Sequence, residues 1–214
     1  MKIAVIGTQC IGKSTYIKDF LKKWSMYETP KESYREALKE KNLAHSENST
    51  QETQEFIMNF LFDQATQYSK KDNVILDRSV LDCLAYTMWL NLKGIVSEDF
   101  LDSQRVIARE ALRLYDVLFF LPISKFSEVD LQDDGFRSVD PVFREEIDNI
   151  FKVLQQCYHK GDGRIFPAGD SPAIIEIYGN PEERIKMTEF YVTESGGCYG
   201  EEQSLITDII NDNI

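Results

Sequence analysis

Residues 7–15 read Gly7-Thr8-Gln9-Cys10-Ile11-Gly12-Lys13-Ser14-Thr15, which fits the pattern G-x-x-x-x-G-K-[ST] without a mismatch. The six residues before it are mostly apolar and include three β-branched side chains, so they predict a strand. The residues after it are apolar at positions 17, 20, 21 and 24, which is the spacing of one helical face. A glycine loop between a strand and a helix is the context that gives this motif its meaning. Residues 7–15 are therefore predicted to form a phosphate-binding loop.

The residue types in this loop suit a nucleoside triphosphate and its magnesium ion. Gly7 and Gly12 let the backbone turn so that successive N–H groups point inward. A helix that starts here presents unbonded N–H groups and the positive end of its dipole to phosphate. Lys13 is expected to reach the β- and γ-phosphates, and the Ser14 hydroxyl to bind Mg²⁺. We therefore expect ATP and Mg²⁺ as cofactors, although GTP has the same phosphates.

Length and composition are those of one globular domain. The chain has 214 residues, of which 43% are hydrophobic and 28% charged. It contains no run of about eighteen apolar residues and does not begin like a signal peptide, so we expect a cytoplasmic protein without a membrane span. The net charge of -12 disfavours DNA as a partner. The oligomeric state is left open, with a homodimer as one option.

An acid and an arginine follow the apolar run Val74-Ile75-Leu76, which predicts a buried parallel strand. At the end of such a strand, Asp77 is expected beside the phosphate loop, where it holds Mg²⁺ or orients the attacking oxygen. Arg78 is then placed to reach phosphate oxygens or the phosphate acceptor. The alternative is that Asp77 only caps the next helix. Asp82 in that helix is either a partner of the helix dipole or an acid that supports the site.

Three more polar residues are candidates for binding the acceptor. Glu32 and Arg35 follow a short strand-like segment that ends near Pro30, which places them on the ligand side of a doubly wound sheet. Glu32 can bond a substrate hydroxyl or take its proton, and Arg35 can grip a phosphate. A surface ion pair at i,i+3 explains the two residues equally well. Gln64, on a helix predicted over 54–68, is a candidate for hydrogen bonding to a bound base.

Two further groups of arginines suggest functional roles, one in a lid and one in a basic stripe. Residues 130–141 are polar and rich in turn residues, and a helix is predicted over 142–158. Together they predict a helical lid over about residues 128–160, in which Arg137 or Arg144 closes over the phosphates. Arg105, Arg109 and Arg113 form a basic stripe on a helix predicted over 100–114. Such a stripe usually faces solvent, and a track for nucleic acid is the minority interpretation.

The alternation of strands and helices predicts an α/β fold. We expect the three-layer sandwich of P-loop NTPases, with a mostly parallel sheet of about five strands and helices on both faces. The domain is expected to span residues 1–192. Residues 193–214 form a C-terminal tail with no assignment.

The order of the motifs resembles the P-loop kinases that phosphorylate nucleosides and related small molecules. The nicotinamide-riboside-kinase-like group is the most similar, and deoxynucleoside and thymidylate kinases are similar more distantly. The resemblance covers about residues 1–190. It rests on the phosphate loop, Glu32-Ser33-Tyr34-Arg35, Asp77-Arg78-Ser79 with Leu81-Asp82, Asp134-Gly135-Phe136-Arg137, and Ile177-Tyr178-Gly179 with Arg184.

This resemblance implies an ATP-dependent phosphotransferase that acts on a nucleoside or a nucleotide. Asp77 or Glu32 would take the acceptor proton, while Arg78 and Arg137 neutralise charge in the transition state. The segment Asn180-Pro181 departs from the pattern of the family and leaves the acceptor open. Two alternatives are a kinase that acts on a modified base, such as a hydroxymethyl pyrimidine, in phage-type DNA, and a regulatory ATP-binding switch whose hydrolysis drives a partner.

Overall fold

The structure, a computed structural model, describes residues 1–199 apart from Asn42, His45 and residues 127–139. The side chain of Arg35 also lies outside this described part. This part contains four strands, seven α-helices and a short 3₁₀ helix at Ser46–Asn48. The strands and α-helices follow in this order: β1 (Lys2–Ile6), α1 (Lys13–Lys23), α2 (Tyr34–Glu40), α3 (Gln51–Tyr68), β2 (Val74–Asp77), α4 (Val80–Leu92), α5 (Glu98–Leu112), β3 (Val117–Phe120), α6 (Pro141–His159), β4 (Ala173–Glu176) and α7 (Pro181–Thr188).

The strands form one parallel sheet in the order β2-β1-β3-β4. The predicted α/β fold with a parallel sheet is confirmed. In place of a fifth strand, Glu28 makes a single parallel bridge with Val74 at the edge of the sheet. The pairing stops there because Pro30 follows closely and has no N–H to donate.

Helices cover both faces of the sheet, as predicted. Successive residues of a strand point to opposite faces. Ile3 and Val5 of β1 therefore pack with α1 and α7, in a cluster that includes Phe20 and Trp24. Ala4 and Ile6 pack into the larger cluster that α3, α4, α5 and α6 build on the other face. The molecule thus has three layers, with the phosphate-binding loop at the carboxyl end of the central strand β1.

The start of α4 decides between the two interpretations of Asp77. The N-cap of α4 is Ser79, whose hydroxyl accepts a hydrogen bond from the N–H of Leu81 at 3.1 Å. Asp82 completes a capping box, since its Oδ2 accepts from the N–H of Ser79 at 3.0 Å. The cap is therefore supplied without Asp77, whose carboxylate stays available beside the loop.

The second half of the predicted lid, α6, packs against the body of the domain. Asp140 caps α6 and Pro141 occupies its first turn. Phe143, Ile147 and Phe151 of this helix are buried in the core. The first half of the predicted lid, including Arg137, lies outside the described residues.

The beginning of the predicted C-terminal tail packs on the end of α1. Val192 and Cys198 form an antiparallel bridge. The indole N–H of Trp24 donates to the carbonyl of Thr193 at 2.9 Å, and the hydroxyl of Tyr27 donates to that of Gly196 at 2.6 Å. Residues 200–214 lie outside the described part. None of the described helices combines the length and the apolar character needed to cross a bilayer.

Candidate active site

The backbone of the phosphate-binding loop requires both of its glycines. Gly7 has φ 139° and Gly12 has φ 86°, a region that favours glycine. A Cβ atom on Gly7 would lie 2.6 Å from the carbonyl oxygen of Leu121, which is closer than real contacts allow. Gly12 is also the residue from which α1 starts. The loop therefore leads straight into a helix N-terminus, as the motif predicts.

Three cationic side chains bond the carbonyl oxygens of five successive loop residues, 7–11. Lys13 Nζ donates to the carbonyls of Gly7 at 2.5 Å and Thr8 at 2.6 Å. Arg144 of α6 donates to the carbonyls of Gln9 (3.1 Å) and Cys10 (3.3 Å). Arg184 of α7 donates to the carbonyl of Ile11 at 2.8 Å. Because the C=O and N–H of a peptide point in roughly opposite directions, these bonds fix the orientation of the N–H groups that would meet phosphate.

Arg144 and Arg184 are both almost completely buried. Burial lowers the pKa of Arg184, and its Nε and Nη2 have no hydrogen-bond partner among the described residues. The sequence suggested Arg144 as a lid residue, whereas the structure places it against the backbone of the loop. Arg184 belongs to a motif quoted for the family resemblance, but its contact with the loop was not anticipated.

Ser14 and Asp77 meet beside the loop. Asp77 ends β2 in register with Val5 of β1, and its Oδ2 accepts a hydrogen bond from the Ser14 hydroxyl at 3.2 Å. The other carboxylate oxygen, Oδ1, is buried without a hydrogen-bond partner in the described part of the chain. Mg²⁺ prefers oxygen ligands, often one or two from the protein together with substrate phosphate. A hydroxyl and an unsatisfied carboxylate oxygen at the mouth of the loop fit that ion.

Arg78 is held in a strained and enclosed position. Its φ of 86° is unusual for a residue with a side chain, and such strain costs about 1–3 kcal/mol. Its Cζ lies over the rings of Tyr34 and Tyr86, at 5.1 and 5.5 Å from their centroids. Burial alone lowers the pKa of Arg78, but the neighbouring Tyr34, Tyr86 and Asp82 raise it well above its ordinary value. The guanidinium is therefore charged.

Asp82 connects the loop, Arg78 and the start of α4. Its Oδ1 accepts from the N–H of Gly7 and lies near Arg78 Nη1, both at 3.4 Å, while its Oδ2 caps α4. Burial raises the pKa of Asp82 to about 6, against the opposing effect of Arg78 and Lys13. The carboxylate thus has two roles, since it is a helix cap and also a support of the phosphate loop.

Two cavities lie beside the loop, and Tyr34 and Leu61 line both. The first, called here the inner cavity, encloses about 500 Å³ including space open to solvent. Its polar lining includes Gln9, Tyr34, Gln54, Arg78, Asp82 and Tyr86. The second, the outer cavity, encloses about 760 Å³ measured in the same way, and its polar lining includes Ser14, Glu32, Gln64 and Asp77.

The predicted acceptor residues are divided between these cavities. Arg78 and Asp82 lie in the inner cavity. Glu32 and Gln64 lie in the outer one, where Gln64 Nε2 donates to the main-chain carbonyl of Glu32 at 3.2 Å. Arg35 belongs to α2, but its side chain is outside the described part. The sequence analysis named Gln9 only as a residue of the phosphate loop and Tyr34 only within a motif of the family resemblance, and it did not identify Gln54 and Tyr86.

A family model of the AAA domain matches residues 2–160. The match spans more than half of the 214 residues, so the chain belongs to the AAA domain family. No curated protein sequence matches the chain.

Solved structures of three kinds share its fold. A deoxyadenosine kinase from M. mycoides has a TM-score of 0.60 and 18% identity, over 88% of this chain and 96% of its own. The NadR protein in complex with NR has a TM-score of 0.61 and 15% identity, over 87% of this chain but only 50% of its own. A thymidylate kinase from Candida albicans has a TM-score of 0.51 and 17% identity, over 87% of this chain and 88% of its own. The predicted resemblance to these kinase groups is confirmed at the level of the fold.

Proposed function

We propose that the protein transfers the γ-phosphoryl group of ATP to a hydroxyl of a nucleoside-like acceptor. One observation carries the proposal, which is that a cavity with several polar side chains in its lining directly adjoins the phosphate-binding loop. Gln9 gives its main chain to the loop and its side chain to the wall of the inner cavity. Asp82 lines the same cavity and accepts from the N–H of Gly7. A regulatory ATPase has no need of a second cavity next to its phosphates.

The described residues can be given separate tasks in this reaction. The loop N–H groups, the α1 N-terminus and Lys13 bind the β- and γ-phosphates. Ser14 and Asp77 would hold Mg²⁺, which when bound neutralises phosphate charge. As the acceptor oxygen bonds to the γ-phosphorus, the bond from that phosphorus to the β-bridging oxygen breaks and ADP leaves. Arg78 supplies fixed positive charge close by.

The acceptor proton passes to a carboxylate, and Asp77 and Glu32 are the two candidates. Both line the outer cavity, which shares Tyr34 and Leu61 with the inner cavity, so an acceptor in the inner cavity would have to extend its hydroxyl toward this wall. A carboxylate that binds a metal ion is a weaker base, so the proposed magnesium role of Asp77 favours Glu32 for proton transfer.

The charge balance of the inner cavity favours a nucleoside over a nucleotide. Arg78 is the only cation among the described residues that line it, and Asp82 lies within ion-pair distance. An acceptor that already carried a phosphate group would need an uncompensated cation there. Two of the three neighbouring structures point the same way, since one is a deoxyadenosine kinase and another is a complex of NadR with NR, whereas the thymidylate kinase is named for a nucleotide. A related deoxyadenosine kinase structure contains bound dATP, and a NadR structure is a complex with NAD and AMP-PNP, which supports a nucleoside triphosphate as a ligand of this chain.

A base within DNA is a less suitable acceptor. Two arginines of the predicted basic stripe are engaged by acids, since Arg105 pairs with Glu98 and Asp102, and Arg113 pairs with Glu110 and Asp170. Those charges are not available as a continuous phosphate track.

The direct test is a panel of nucleosides, nucleotides and DNA, including DNA with hydroxymethyl pyrimidines, incubated with γ-labelled ATP. The expected result is label on one or a few free nucleosides. Label in DNA alone would favour the DNA kinase. Release of labelled phosphate without any labelled acceptor would favour the ATPase switch.

A further inference from the structure

We propose that the side chain of Gln9 determines acceptor specificity, by donating a hydrogen bond from Nε2 to an accepting atom of the nucleoside. The inference rests on the proposed function and goes beyond it. Within the loop motif, position 9 is open to any residue type, and binding of phosphate needs only its main chain. The side chain is therefore available to bind a ligand other than the phosphates.

Gln9 carries an unsatisfied polar group at the inner cavity. The residue is 3% exposed, and its Nε2 has no hydrogen-bond partner among the described residues. Its side chain lines the cavity together with Arg78, Asp82 and Tyr86. Leaving a buried amide N–H group without a partner is unfavourable, so such groups in folded proteins usually have a structural or ligand-binding reason.

Two hydrogen bonds determine which end of the amide lacks a partner. The Tyr86 hydroxyl donates to Gln9 Oε1. The Thr8 hydroxyl donates to the same oxygen at 3.3 Å. Because Oε1 is occupied by two donors, the NH₂ group is the end that remains for a ligand.

The chemistry of the ligand follows from this orientation. The acceptor must present a carbonyl oxygen or an unprotonated ring nitrogen to Nε2, since an amide NH₂ only donates. Gln9 also accepts from Arg144 through its main chain. A nucleoside bonded to this side chain would therefore touch the phosphate-binding loop itself, and not only the walls of the acceptor cavity.

The test combines a protein change with a substrate change. Gln9→Met keeps the size of the side chain and removes its donor. It is compared with the wild type for binding of the best nucleoside from the panel, without ATP. Binding is also measured for analogues of that nucleoside in which one accepting nitrogen is replaced by C–H, or one carbonyl oxygen by hydrogen. The matched control is Gln104→Met, because Gln104 is also buried with one unpartnered amide atom but lies on α5, outside both cavities.

The expected result is a selective loss. Gln9→Met should weaken binding of the parent nucleoside by about 3- to 10-fold, the size of one neutral hydrogen bond. The analogue that lacks the atom bonded by Nε2 should bind the wild type more weakly than the parent nucleoside by the same factor. Gln9→Met should bind this analogue and the parent nucleoside with equal affinity. Binding of ATP is measured in parallel to separate a loss of nucleoside contact from damage to the loop, and Gln104→Met should bind the nucleoside like the wild type.

Tyr86→Phe provides a second test of the Gln9 hydrogen bond in which Gln9 itself is unchanged. It removes the hydroxyl that orients the amide, so the wild-type preference for the parent over the critical analogue should shrink. If the wild type binds nucleosides and Gln9→Met retains the full affinity and the full preference, the inference is wrong while the proposed function stands. If the wild type neither binds nor phosphorylates any nucleoside, the proposed function fails and the inference fails with it.

Discussion

Glu32 and Asp77 are two carboxylates at one cavity, and their neutral analogues should fail in different ways. Glu32→Gln and Asp77→Asn are each expected to lower kcat by about a hundredfold or more. Only Asp77→Asn should raise the Mg²⁺ concentration needed for half-maximal rate, because it removes the carboxylate next to Ser14. Glu32→Gln should leave that Mg²⁺ concentration unchanged, because Glu32 is not a proposed ligand of the ion.

Asp19→Asn is the matched control for both carboxylates, since Asp19 lies on α1 and pairs with Lys22 at the surface. It should behave like the wild type. An Asp77→Asn variant with normal turnover at ordinary Mg²⁺ concentrations would contradict the proposed metal role.

Asp82 should give the protein an unusual dependence of stability on pH. Burial raises its pKa from 3.8 to about 6. Between these values the folded protein keeps a proton that the unfolded chain has released, so the stability due to this carboxyl falls as pH rises. Asp82→Asn lacks this titration. The free energy of unfolding of the wild type, relative to Asp82→Asn, should be larger at pH 5 than at pH 7 by on the order of 1 kcal/mol.

Urea unfolding of both proteins at the two pH values measures this difference. The contributions of the other carboxyls to the pH dependence of stability cancel, because both proteins contain them. A difference that is constant, or that grows toward pH 7, would show that Arg78 outweighs the burial of the Asp82 carboxylate.

At the level of elements, α6 and α7 support a loop that neither adjoins in sequence. Arg144 satisfies two loop carbonyls. Arg144→Met should weaken binding of a non-hydrolysable ATP analogue by about tenfold or more, the equivalent of losing one hydrogen bond to a charged group. Isothermal titration measures the affinity, and circular dichroism verifies the fold.

Arg109→Met is the control for this change. Arg109 is a partly buried arginine of α5 whose Nε has no partner among the described residues. Its replacement should leave the affinity for ATP as it is. If Arg144→Met lowered the melting temperature but bound ATP like the wild type, the contact with the loop would be structural only.

The sequence was sufficient to predict several strands and helices, but not which side of each helix is buried. The loop motif and the apolar runs identified β1, α1 and β2, because those signals are local. On α3, Gln64 was chosen as the polar candidate for binding a base, yet the buried polar residues of this helix are Thr53 and Gln54. This helix also carries Phe56, Phe60 and Phe62, so its apolar residues surround much of the axis and periodicity alone does not define one face.

Contacts between distant elements could not be predicted from the sequence, because the signals used were local. Arg78 was identified because it follows an apolar strand directly. Tyr34 and Tyr86 enclose the Arg78 side chain, but neither is adjacent to it in the sequence. The two tyrosines lie 52 positions apart. No local pattern indicates that such residues meet, and the binding of loop carbonyls by Arg184 is of the same kind.

For the whole molecule, the excess of acidic charge predicts a weak dependence on salt. Replacing Arg105, Arg109 and Arg113 together by Gln should change the rate of transfer to a free nucleoside very little. The rate should also vary only slightly between low and physiological ionic strength, because few acceptor phosphates are neutralised. Lys13→Ala in the same assay should abolish transfer while the circular dichroism spectrum stays native. A steep fall of activity with salt, together with loss of activity in the triple variant, would favour DNA as the acceptor.

The attachment of residues 192–198 to the end of α1 has a consequence for biosynthesis. Trp24 and Tyr27 bond partners that lie 169 positions further along the chain. At translation rates of about 5–20 residues per second, a nascent chain waits roughly ten to thirty seconds before these partners are made. During that interval the aromatic end of α1 lacks its final cover on the ribosome. It offers an apolar surface to chaperones, or to other nascent chains, until nearly the whole domain has been synthesised.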